Sequence, residues 1–142
     1  MPVLEIHTSL SADVFASDFH VKLVEVAASI FNRPQNVMVV ALSTDERLYA
    51  GAEGSDPVFL LRVSNADAFQ DVDENRKIIK AFSDFLTEKM AVPENSIRII
   101  LVSCPSTCIG LKGVLLADVI QERQKARETE QEQEKADNPN PV

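Results

Sequence analysis

The chain has 142 residues, 45% of them apolar and 25% charged, a balance that suits a single globular domain with a buried core. Its net charge of −8, from 14 basic and 22 acidic side chains, argues against a nucleic-acid or anionic-membrane partner. No apolar run is long enough to enter and span a membrane, and the first residues lack the charged-then-apolar layout of a signal peptide. Synthesis in the cytoplasm is expected, with secretion by a route that uses no signal peptide left open.

The chain opens Met1-Pro2 and runs directly into a strand pattern, Val3-Leu4-Glu5-Ile6-His7-Thr8. Initiator methionine is removed when the next side chain is small, which would leave Pro2 as a free secondary amine. An α-amino group titrates near pH ~8, and apolar burial lowers it further because desolvation disfavours the charged form. A base usable at neutral pH would then sit at the start of a sheet strand. Chance is the alternative, since proline makes up roughly 5% of residues and so falls at position 2 often enough.

An amphipathic helix follows, with Ser17 as a candidate N-cap and Phe19, Leu23, Val26, Ala27 and Ile30 on one face. Arg33-Pro34-Gln35-Asn36 ends it, and residues 37–42 read as an apolar strand. Between residues 43 and 57, a short edge strand is expected at 48–50, then a turn bracketed by Gly51 and Gly54. No lysine follows these glycines and no helix begins there, so they do not form a phosphate-binding loop.

The second half repeats this order. Residues 58–63 read as a strand, followed by a helix capped by Asp71 or Asp73 with Ile78, Phe82, Phe85 and Leu86 as its apolar stripe. Val92-Pro93-Glu94-Asn95 closes it, and residues 97–102 form another apolar strand. The fold class expected is α+β: two pseudo-symmetric β-α-β units forming a four-stranded mixed sheet with two helices on one face. Strands 37–42 and 97–102 are almost continuously apolar, the pattern of strands covered on both faces. Two helices cover only one face, so another copy of the subunit is expected on the other.

Cys104 and Cys108 read as two free thiols, with a disulfide or metal pair as the lesser alternative. His7 and His20 supply no ligand spacing, so neither a metal nor a cofactor is expected, and His20 falls on an exposed helix face. The folded domain is placed at residues 1–120. Residues 121–142 read as a charged, solvated extension, disordered or partly helical, because Arg123/Arg127, Glu128/Glu132 and Glu130/Glu134 set like charges at i, i+4. It ends in the breaker run Asn138-Pro139-Asn140-Pro141-Val142.

Taken in order, several segments resemble the tautomerase superfamily, specifically macrophage migration inhibitory factor and D-dopachrome tautomerase, with the latter branch closer. They are Met1-Pro2 opening a strand, Ala27-Ala28-Ser29-Ile30 running to Arg33-Pro34, Gly51 to Ser55-Asp56-Pro57, Glu74-Asn75-Arg76, Phe85-Leu86-Thr87, and Ile109-Gly110 with Gly113. The resemblance covers residues 1 to about 113 and rests on the order and spacing of these segments. It implies a trimer, here a homotrimer. It also implies keto–enol tautomerisation of phenylpyruvate-like or dopachrome-like substrates, with the N-terminal proline as acid/base and no cofactor.

Carried over residue by residue, the resemblance makes Pro2 the catalytic base and Arg33 the match of the family's lysine, a grip for a substrate carboxylate. For Arg33, capping of the helix end is the equal alternative. Ser64 and Asn65 fall where the family binds substrate, but Ser64-Asn65-Ala66 replaces the usual Ser-Ile-Gly. Ile97 and Ile99 stand where some members carry polar pocket residues. The family's Cys-x-x-Cys is absent, because Pro57 is followed by Val58-Phe59-Leu60-Leu61. The alternative function is a non-catalytic, cytokine-like binding protein that keeps the trimeric scaffold and meets a cell-surface receptor.

Overall fold

The structure is a computed structural model, and it describes residues 1–54 and 56–139. Ser55 in the resemblance segment and Asn140-Pro141-Val142 of the terminal breaker run lie outside the described residues. The chain forms two compact units, Met1–Ser103 and the residues from Cys104 onward.

The first unit is built on a four-stranded mixed sheet. Its strands are β1 (Val3–Thr8), β2 (Val39–Ser43), β3 (Phe59–Ala66) and β4 (Ile97–Cys104), in the order β2-β1-β3-β4. Alternation decides the faces. Leu4, Ile6 and Thr8 of β1 are buried, whereas Val3, Glu5 and His7 between them are not. β1 pairs antiparallel with β3, setting Leu4 opposite Val63, Ile6 opposite Leu61 and Thr8 opposite Phe59, so three buried pairs define the core face. β2 lies parallel to β1, as a β-α-β crossover requires.

Helices α1 (Phe19–Phe31) and α2 (Val72–Met90) place their apolar stripes on that face. Phe19, Leu23 and Ala27 of α1 and Phe82, Phe85 and Leu86 of α2 join the sheet residues in one buried cluster. Asp71 caps α2, its carboxylate accepting the Glu74 N–H at 2.9 Å. Ser17 does not cap α1. The helix starts at Phe19 with Asp18 at the N-cap position, which makes no side-chain cap bond, and the Phe19 N–H is satisfied by the Ala16 carbonyl at 3.0 Å.

Both proline stops fold into short 3-10 turns, Gln35–Val37 and Glu94–Ser96. In the first half, the Val37 and Met38 N–H groups close this turn on Pro34 and Gln35, so the strand expected from residue 37 begins at Val39. The strand expected at 58–63 runs instead from Phe59 through Ala66. Ser9 Oγ takes the Val58 N–H at 2.9 Å, and Ser64 pairs with Val3. No edge strand forms at residues 48–50. The segment finds no neighbouring strand and keeps local bonds, with the Leu48 N–H donating to the Glu46 carbonyl at 3.0 Å. The glycine turn does form, with φ 76° at Gly51 and 56° at Gly54. A Cβ on Gly54 would stand 2.7 Å from Cδ1 of the exposed Tyr49 ring, and its left-handed φ favours glycine there.

The second unit holds a 3-10 turn at Ser106–Cys108, the hairpin strands β5 (Gly110–Leu111) and β6 (Val114–Leu115), and helix α3 (Leu116–Asp137). Cys104 and Cys108 are both free thiols. The solvated extension foreseen from residue 121 is exposed at every described position. It is also helical through Asp137, further than its like-charge pairs suggest. Opposite charges at i, i+3, such as Glu122/Lys125, Lys125/Glu128 and Arg127/Glu130, offset those repulsions among residues of high helix propensity.

Candidate active site

The five residues singled out from sequence are Pro2, Arg33, Ser64, Asn65 and Ile97, and all lie in the first unit. Pro2 precedes β1 on the core-facing side, and its ring is fully buried. Its carbonyl accepts the Val39 N–H at 3.1 Å, which ties the amino terminus to the start of β2. Burial of a proline here leaves no donor unsatisfied, since its nitrogen carries no N–H inside a chain.

Arg33 is placed by the end of α1. Asn32 adopts the left-handed conformation at φ 50°, and the Arg33 N–H turns back to the Ala28 carbonyl at 3.1 Å. The side chain is exposed and makes no hydrogen bond or ion pair with described residues, yet its charge acts on the terminal amine. The backbone N–H, not the guanidinium, caps the helix, so the guanidinium stays free to act elsewhere.

Asn65 comes from β3. The β1–β3 register sets Val3 opposite Ser64, so its next pair brings Asn65 to Pro2. The terminal ammonium of Met1 donates to Asn65 Oδ1 at 3.5 Å, and the Ala66 N–H donates to the same oxygen at 2.9 Å. Burial first, and the Arg33 guanidinium second, hold that amine below its ordinary value of 8.0. A terminal amine, a cation and an amide oxygen are therefore gathered where β1 begins.

The other two residues stand apart from this corner. Alternation and its pairing with Val3 put the Ser64 side chain on the sheet face away from the helices, leaving only its backbone near Asn65. Ile97 packs against the core, as does Ile99. Two surface depressions of about 510 Å³ lie along α2 and beside residues 46–49, and neither is lined by Pro2, Arg33 or Asn65. Sequence reasoning missed the Asn65 side chain as a contact of the terminus. The cue was parity: with the two strands paired around Val3 and Ser64, Pro2 and Asn65 must face each other.

Among the described residues no cluster of His, Cys, Asp and Glu could hold a metal ion, and no helix is long and apolar enough to cross a membrane.

Comparison with known proteins agrees with this architecture. The family model for macrophage migration inhibitory factor (MIF) matches residues 1–117. MIF-like protein mif-2 of Caenorhabditis elegans is 23% identical over 118 residues, covering 83% of this chain and 97% of that protein. D-dopachrome decarboxylase of Mus musculus is 25% identical over 116 residues, covering 82% and 98%. Among solved structures, the factor from Oncomelania hupensis superposes with a TM-score of 0.73 at 18% identity, covering 80% of this chain and 95% of that one. The factor from Trichinella spiralis gives 0.71 at 22% identity, covering 79% and 97%. The chain belongs to the macrophage migration inhibitory factor family.

Proposed function

We propose that this protein is a keto–enol tautomerase acting on phenylpyruvate-like or dopachrome-like α-keto acids, with Pro2 as acid/base once Met1 is removed. The observation that carries this reading is Pro2 fully buried at the start of β1, beside a terminal amine that touches Asn65 and feels the Arg33 charge. In its neutral form the Pro2 nitrogen takes a proton from the carbon next to the substrate ketone. That C–H bond breaks as electron density moves to the ketone oxygen. Arg33 grips the carboxylate and offsets the charge developing on the enolate oxygen. The protonated amine then delivers its proton to that oxygen, and the nitrogen returns neutral.

Asn65 and the Ser64 backbone form the wall of the site in this reading, and a homotrimer supplies a neighbouring subunit to complete it. Its setting is the cytoplasm, with secretion without a signal peptide as a further route. The names of relatives such as D-dopachrome decarboxylase support a small-molecule substrate of this kind.

The test follows enol loss from phenylpyruvate by absorbance. Wild type should exceed Pro2→Gly by about 10²–10⁴-fold, the usual contribution of a positioned general acid/base. Intact mass run alongside should show Met1 absent and the new amine unacetylated. Equal rates for wild type and Pro2→Gly would sink the enzyme reading. They would favour the second one, a cytokine-like binding protein on the same scaffold. Ile97 and Ile99 lend that alternative support, since both pack into the core and bring no polar group to the corner.

A further inference from the structure

We infer that the Asn65 side chain is the hydrogen-bond acceptor of the terminal amine, and so a positioning residue that sets how firmly the amine holds its proton. As a matter of catalysis this rests on the tautomerase reading above. As a matter of contact it rests on geometry alone.

The geometry has two parts. The β1–β3 register brings Asn65 opposite Pro2 on the core-facing side, where facing residues have Cβ atoms ~4.5–5.5 Å apart. The oxygen Oδ1 is also oriented, because the Ala66 N–H holds it at 2.9 Å while the terminal ammonium reaches it at 3.5 Å. Removal of Met1 would transfer the amine to Pro2, which the register continued by one step sets across from Asn65, and the same oxygen would then serve the new amine.

The charged side chains of the neighbouring strands lie on the other face of the sheet. Glu5 of β1 and Arg62 of β3 face each other on the opposite side of the sheet. Arg98 of β4 alternates onto that side as well, since Ile97 and Ile99 point to the core. β2 carries no ionisable side chain. Arg33, at the end of α1, repels the proton. The neutral amide oxygen that accepts from the amine favours its protonated form. It keeps the ammonium oriented after proton abstraction without stabilising it as strongly as a carboxylate would.

The experiment is a pH titration of the full chain by ¹³C NMR with labelled proline and methionine, after intact mass has identified which residue bears the free amine. Asn65→Leu removes the acceptor at similar volume and should lower the amine midpoint by about half a pH unit. Asn65→Asp adds a charge at the same place and should raise it by about one unit. Shifts of opposite sign from near-isosteric variants are not what a general loss of packing produces. Midpoints within about 0.1 unit of wild type for both, or moving in one direction for both, would overturn the inference. If the midpoints move as expected while wild type and Pro2→Gly tautomerise equally fast, the contact stands and the tautomerase reading falls. If Pro2 proves catalytic and the midpoints stay still, Asn65 has no such role.

Discussion

At the residue scale the site turns on how two opposing influences act on one amine. Burial and Arg33 push its proton off, and an amide oxygen holds it on. Removing the guanidinium should therefore move the amine toward its ordinary value of 8.0. A base works only when neutral, so its activity falls as pH drops through its pKa. Raising that pKa shifts the acid limb of the pH–rate profile to higher pH. Arg33→Ala should show this shift, together with a loss of about 10–100-fold in kcat/KM for phenylpyruvate, the range of a charge-assisted contact. Arg33→Lys should restore the limb, because the charge returns, but only part of kcat/KM, because a lysine cannot grip a carboxylate with two parallel bonds. A profile unchanged by Arg33→Ala would remove Arg33 from the site.

At the element scale, helix stripes and buried strand pairs were legible in the sequence because apolar periodicity records them directly. Phe82, Phe85 and Leu86 mark the inner face of α2 in either view. Ends were harder to read, since local hydrogen bonds settle them. The Ala16 carbonyl displaced Ser17 as a cap, and the Pro34 turn consumed the N–H groups of Val37 and Met38. At the site, Pro2 and Arg33 were visible as residue types at a terminus and a helix end. The Asn65 contact was hidden because it depends on register across the sheet, which no local pattern encodes. Where a cap was foreseen and found, its worth can be measured. Asp71→Ala should cost about 1 kcal/mol of stability, read as a lower urea midpoint at unchanged slope, whereas Asp73→Ala should do far less. Equal effects would mean that charge near the helix start, not the Asp71 hydrogen bond, matters there.

For the whole molecule, assembly turns on the sheet face that the helices leave open. Val39 is 47% and Ile100 48% exposed in a single chain, although both lie on strands whose sequence reads as covered on each side. Leu60 and Val102 share that face with Glu5, Arg62 and Arg98, charges that find no partner within the described residues of one chain. A face that sets these apolar side chains around opposite charges on its two central strands is better suited to a second copy of itself than to water. Wild type should sediment at about three times the 15.7 kDa chain mass, as the proposed trimer requires. Ile100→Asp, which would bury an unpaired carboxylate at the contact, should release monomers that keep their far-UV circular dichroism, because Ile100 lies outside the core cluster. A subunit completing the Pro2 corner would then be lost, and tautomerase activity should fall with the trimer fraction on dilution. Activity that stays constant per chain while the trimer dissociates would place the whole site within one subunit.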